Sequence, residues 1–226
     1  MNEEKLIEYL SGIISPERNR LFKEVIQNRT RYITVALEDI YQPQNASAVL
    51  RTCDCFGIQD VHIIENSNTF NINPNVVQGA SKWLTIYKYN RKRNNSFEAI
   101  QYLKKNGYRI IATTPGSTDS QLESFDLTKG KAALVFGSEK PGISEVIKSH
   151  ADEFLKIPMF GFTESFNISV SAAIILYDLT LTLRNSGRIK WRLTDTEAKE
   201  LKLEWLRATI KKSRLLEKEY LKTLKE

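Results

Sequence analysis

The sequence predicts an α/β fold, a mostly parallel sheet with helices on both faces, and two observations carry that prediction. Six short apolar segments rich in β-branched residues read as strands: ITVALEDI (33–40), VHIIE (61–65), LTIYKY (84–89), YRIIATT (108–114), KAALVFG (131–137) and FLKIPM (154–159). Helical patterns fall between most of them, over 45–56, 96–106, 143–150 and 167–183. Strands that alternate with helices pair in parallel and are covered on both sides. Residues 16–28 and 194–224 lie outside the alternation and read as helical extensions. One catalytic domain over 32–190 is therefore expected, between an N-terminal extension (1–31) and a basic C-terminal one (191–226). At 226 residues, 41% of them hydrophobic, the chain can supply one substantial core.

Taken in order, the first helix has Asn45 as its capping residue and Gly57 to close it in the left-handed conformation. Its apolar stripe runs Val49, Cys53, Phe56. Arg51 lies off that stripe, on the side of Ser47 and Asp54, and projects into a cleft or solvent. The simplest roles for these two residues are a cap for Asn45 and an ion pair with Asp54 for Arg51. His62 lies inside a strand and His150 at a helix end, both structural settings.

After KAALVFG the chain reads GSEKPGIS, where Gly137 and Gly142 have the spacing of a phosphate-binding loop. The lysine such a loop needs is replaced by Ile143, which excludes a nucleoside-triphosphate site. No G-x-G-x-x-G follows an early strand, which argues against a dinucleotide site. What remains is a tight turn carrying Glu139 at the carboxyl end of a parallel strand, where open α/β sheets bind ligands. The last long helix, ISVSAAIILYDL after Asn167, is apolar or small on all sides and is expected to be buried, against the core or a second subunit. Its mouth, from Gly161 to Asn167, is polar.

The formal charge of +6 is concentrated in three places: Arg18, Arg20, Lys23, Arg29 and Arg31; Lys88, Arg91, Lys92 and Arg93; and the tail from Lys199. Solvated helix faces account for any one cluster, whereas the three together fit a phosphate-backbone footprint. Cys53 and Cys55 are too close for an ordinary disulfide, and no second pair or nearby histidine completes a metal site. They read as reduced thiols in a cytoplasmic protein. No apolar run approaches the length needed to span a bilayer, so no membrane partner is expected.

Three segments in this order, QPQNASAVLRTCDCFGI (42–58), LVFGSEKPGIS (134–144) and IPMFGFTESFNISVSAAIILYDL (157–179), with QGASKW (78–83) between, resemble the SpoU-type RNA 2′-O-ribose methyltransferases. Within that family they resemble its tRNA guanosine methyltransferases. The resemblance implies an α/β fold with a C-terminal deep trefoil knot, S-adenosylmethionine as cofactor in the knot loops, and a homodimer with the knots at its interface. Carried over residue by residue, it implies that Asn45, Arg51, Glu139, Ser165 and Asn167 form the catalytic set. Thr113, Thr114, Gly137, Glu139, Ile157, Met159, Ser165, Phe166 and Asn167 would bind the cofactor. Arg18, Arg20, Arg29 and Arg184 would contact tRNA, with guanosine 18 of the D-loop as the expected target. Two positions depart from the tRNA-methylating pattern. Gln44 stands where a histidine is common, and Thr180–Leu183 stand where Gln-Arg-Gln-Arg is common, with Arg184 about a turn beyond. Ribosomal RNA as substrate, and a non-catalytic RNA-binding protein on the same scaffold, stay open as alternatives.

Overall fold

The computed structural model describes residues 3–116 and 120–223, and the chain divides into two units, residues 30–191 and residues 1–29 with 192–226. The larger unit is the sheet. Its strands are β1 (Ile33–Glu38), β2 (Asp60–Ile64), β3 (Thr85–Tyr89), β4 (Arg109–Thr113), β5 (Ser120–Gln121), β6 (Ala132–Phe136) and β7 (Glu153–Lys156). They run in the order β3-β2-β1-β6-β4-β7-β5, and every pairing is parallel. Every residue of β1, β2 and β6 is buried, as central strands of a doubly covered parallel sheet require. In β3, at the edge, only Tyr89 is buried.

Side chains alternate between two core layers. Val35, Leu37, Val61, Ile63 and Leu134 face one cluster, which takes in α3 (Pro43–Cys55), α4 (Pro74–Val77) and α7 (Ile168–Asn185). Ala36, Ile64, Ile110 and Val135 face the other, completed by α5 (Asn95–Lys105) and α6 (Glu145–His150).

Helix α3 starts earlier than the sequence pattern predicts. Pro43 occupies the first turn, where its fixed φ and missing N–H cost nothing, and Gln42 is the cap without a side-chain bond. Asn45 is therefore inside the helix and free of the capping role. Gly57 closes α3 at φ 75°, with Gly57 N donating to Asp54 O and Ile58 N to Cys53 O, the Schellman arrangement.

The far edge holds an unusual order. Leu155 of β7 has Thr113 of β4 as its partner on one side and Ser120 of β5 on the other. Two strands consecutive in the chain thus flank one that comes more than thirty residues later.

The smaller unit joins the two extensions that the sequence analysis kept separate. It contains α1 (Glu3–Ser11), α2 (Pro16–Ile26), α8 (Asp195–Thr209) and α9 (Ser213–Thr223). Helix α8 opens with a complete capping box, Thr194 with Glu197. It packs on α1 and α2, with Phe22 edge-on to Trp205, while Tyr9 stacks on Tyr220 at 4.3 Å.

Candidate active site

The turn after β6 is held shut by a lack of space. A Cβ on Gly137 would lie 2.2 Å from the carbonyl carbon of Gly142, and Gly142 itself sits at φ +87°. Only glycine permits the first contact, and glycine adopts the second conformation without strain. The closed turn presents Glu139 towards α3. Asn45 donates to Glu139 Oε1 from Nδ2 at 2.5 Å. Asn167 Nδ2 donates to Asn45 Oδ1 at 3.1 Å and to Glu139 Oε1 at 3.4 Å. The Oδ1 of Asn167 meanwhile caps α7 by accepting from Ser169 N and Ser169 Oγ. An amide can do both because its two ends have opposite hydrogen-bonding character. Three predicted residues from remote parts of the chain therefore form one network.

Beside the network is a cavity of about 260 Å³ at the carboxyl ends of β4, β6 and β7. Thr113, Thr114, Gly137, Glu139, Ile157, Met159, Ser165 and Phe166 all line it. Asn167 does not line it, but touches it through Glu139. Thr113 Oγ1 donates to Val135 O, so that hydroxyl serves the sheet. Sequence reasoning missed Pro115, Ser138, Leu155 and Ser171 in the lining. The first three lie on or just past strand ends and were findable from the rule that sheet ligands bind there. Ser171, four residues after Asn167, shares its helix face.

Arg51 is not in this wall. It is exposed and makes no hydrogen bond or ion pair among the described residues, Asp54 included. Six residues separate it from Asn45 along α3, roughly 120° around the axis and about 9 Å along it.

The four arginines expected to contact RNA divide evenly. Arg18 and Arg20 are exposed on α2. Arg29 is only 2% exposed, with its guanidinium 5.2 Å from the Trp205 ring centre, which corrects the expectation: it is a packing residue. Arg184 has a structural role in this chain. It is half-buried, donates to Phe56 O at 2.9 Å and lies over Trp191, so it ties the end of α7 to the end of α3.

Neither histidine belongs to the site. Burial pushes His62 down to about 4, and its Nδ1 meets Tyr89 Oη at 2.9 Å while its ring stacks on Tyr87. His150 Nδ1 meets Val146 O within its own helix. Among the described residues no group of three or more His, Cys, Asp or Glu is placed to hold a metal, and no helix is long and apolar enough to cross a membrane.

The model of the SpoU rRNA Methylase family matches residues 32–177, from just before β1 to within α7. The chain belongs to this family. A SpoU relative from Borreliella burgdorferi, named tRNA (guanosine(18)-2′-O)-methyltransferase, is 41% identical over 94% of this chain and 95% of its own. The crystal structure of the Aquifex aeolicus TrmH/SpoU tRNA modifying enzyme superposes with a TM-score of 0.75 at 27% identity, covering 86% of this chain and 98% of that one. The SpoU methyltransferase AviRb from Streptomyces viridochromogenes, solved in complex with AdoMet, shares the fold at a TM-score of 0.60 and 21% identity, over 73% and 62% of the two chains. The SpoU match spans every strand of the sheet, the Asn45–Glu139–Asn167 network and the cavity.

Proposed function

We propose that this SpoU protein transfers a methyl group from S-adenosylmethionine to the ribose 2′-hydroxyl of guanosine 18 in tRNA. The observation that carries this reading is the Asn45–Glu139–Asn167 network at the mouth of the cavity, in a chain that matches a guanosine-18 methyltransferase over nearly its whole length. The lining suits the cofactor's mixed chemistry. Leu155, Ile157, Met159 and Phe166 would offer apolar surface to the cofactor, and Thr114, Ser138, Ser165 and Ser171 would offer it hydroxyls. S-adenosylmethionine, when bound, supplies an electrophilic methyl group on a sulfonium.

The residues of the chain then have three tasks. The cavity wall fixes one reactant, so that an in-line approach of the ribose oxygen becomes effectively unimolecular. The asparagine–glutamate network holds the turn after β6 against the start of α7, keeping that wall in register. Arg51 fixes an RNA phosphate and offsets the charge that develops on the attacking oxygen. As the methyl group is transferred, the proton of the 2′-hydroxyl passes to solvent, and the role of Arg51 is electrostatic.

Arg51 lies off the cavity of its own chain, and we therefore read the protein as a homodimer in which each subunit serves the other's site. An apolar stripe on α7 supports this: Val170, Tyr177 and Leu181, at i, i+7 and i+11, are 44, 61 and 48% exposed. Phe160 and Phe162, in the segment leading to α7, are fully exposed. We also read the insertion of β7 between β4 and β5 as the trace of a trefoil knot, since a chain threaded through its own loop leaves that strand order. Arg18 and Arg20 are the proposed tRNA contacts of the helical unit, and Cys53 and Cys55, which form no disulfide among the described residues, fit a cytoplasmic location.

The test is to incubate the protein with labelled S-adenosylmethionine and total RNA, then map the modified nucleotide by mass spectrometry. Label in tRNA at position 18 is expected. Label confined to ribosomal RNA would move the substrate, and no label in any RNA would overturn the enzyme reading.

A further inference from the structure

We propose that the turn between β3 and α5, residues 90–95, is a phosphate-binding platform that grips the RNA substrate at a distance from the reacting ribose. This inference rests on the methyltransferase reading and adds a binding surface to it.

The turn carries Arg91, Lys92 and Arg93, three consecutive cations with exposed side chains. Lys92 meets Glu98 at 3.2 Å while staying 62% exposed; Arg91 and Arg93 make no ion pair or hydrogen bond among the described residues. A charge run on a loose loop is normally just solvated. This one is fastened from below.

Asn95, 3% exposed, donates from Nδ2 to Glu65 O at 2.7 Å and from its backbone to Asn66 Oδ1 at 3.0 Å. Its own Oδ1 accepts from Lys92 N at 3.0 Å. Asn90 Nδ2 donates to Glu65 Oε2 at 2.7 Å, and Asn94 caps α5 through Phe97 N. Asp39, at the end of β1, accepts from the backbone of Asn66, Ser67 and Asn68 and so fixes the neighbouring loop. Both ends and the middle of the turn are thus set before any ligand arrives, and the three cations are held outward on a rigid base. Pre-set geometry lowers the ordering cost of binding. The partner that matches a fixed line of cations is a polyanionic strand. Phe97, in the first turn of α5 and 40% exposed, adds an aromatic surface suited to a base.

Position selects the substrate strand. All strands are parallel, so this turn lies at the same carboxyl end of the sheet as Glu139. β3 and β6 are three strand spacings apart, about 15 Å, or roughly four phosphates along a stacked strand. A strand with its ribose at the cavity can therefore reach the turn.

The experiment uses the full-length protein with Arg91, Lys92 and Arg93 all changed to Gln. None of the fastening bonds uses these side chains, so the fold is retained, which circular dichroism and S-adenosylmethionine titration check. The expected result is an apparent tRNA Kd about tenfold weaker, with the slope of log K against log salt shallower by about 2. The KM for tRNA rises in parallel while affinity for S-adenosylmethionine is unchanged. Lys105→Gln, at the opposite end of α5, is the control and leaves the slope as it was. A wild-type slope in the triple variant overturns the platform and leaves the methyltransferase reading standing. Because the slope is a property of binding alone, it decides the platform even if no RNA is methylated, the outcome that would sink the other reading.

Discussion

Replacing Gly137 by Ala asks for space that the turn after β6 does not have. The new Cβ would lie 2.2 Å from the Gly142 carbonyl carbon and 2.3 Å from both Gly142 O and Ile143 N. Ordinary contact begins at 3.4 Å, so the two arms must part by about 1.2 Å (3.4 − 2.2). All three opposing atoms are backbone, so no side chain can rotate away. Overpacking of this kind costs about 1–3 kcal/mol. At roughly 2–4 °C per kcal/mol for a chain of this size, Tm should fall by about 2–12 °C. A displacement of that size also exceeds the roughly 0.5 Å within which a binding wall must be held. Affinity for S-adenosylmethionine should therefore drop at least about tenfold, or 1.4 kcal/mol. Calorimetric titration and thermal unfolding measure both effects. Gly107→Ala is the control: Gly107 sits at φ +79° with nothing within 4 Å of its Cβ position, so it incurs only backbone strain of about 1 kcal/mol and leaves cofactor affinity alone. If Gly137→Ala unfolds and binds like the wild type, the turn is not closed by that contact and the account of the cavity wall is wrong.

Arg51→Lys should leave stability within about 0.5 kcal/mol of wild type, because the side chain supports nothing in the fold, yet cut turnover about a hundredfold or more; near-normal turnover would remove any need for the planar guanidinium. Tyr177→Asp with Leu181→Asp should give monomers by sedimentation and abolish methyl transfer, and an active monomer would contradict a shared site. Arg29→Ala should lower Tm by several degrees through the lost Trp205 packing while the salt slope of tRNA binding stays put; the reverse pattern would restore it as an RNA contact. Burial holds His62 at about 4, below its unfolded value near 6.5, so the unfolded chain binds the extra proton. Its contribution to stability is complete above pH 6.5 and is lost as pH falls towards 4, at up to about 1.4 kcal/mol per pH unit. Denaturant titrations across that window should show this slope reduced in His62→Gln, and identical slopes would mean the ring charges freely in the fold.

The central strands were legible because an unbroken apolar run such as AALVF has few other places to go than the middle of a covered parallel sheet. β5 is two residues long and α4 four, too short for any periodicity to show. Pro43 started α3 two residues before Asn45, and the cap reading lost to the stronger preference of proline for the first turn. Charge patterning placed Arg29 on a surface, yet a guanidinium lying over a tryptophan is buried without violating any sequence rule. Glu139 was locatable from the strand-end rule alone. Its contacts with Asn45 and Asn167 were not, since the two asparagines are 122 residues apart and nothing local encodes their meeting. Only the resemblance grouped them, whereas the physical link, one Oε1 accepting from both amides, came from the structure.

The most direct test of the central claim uses two synthetic tRNAs that differ by one oxygen atom, one carrying guanosine at position 18 and the other 2′-deoxyguanosine there. With labelled S-adenosylmethionine the protein should methylate the first and leave the second unlabelled, while binding both with similar affinity. Equal labelling of the two would mean that the methyl group goes elsewhere, and the assignment to the guanosine-18 ribose would fall.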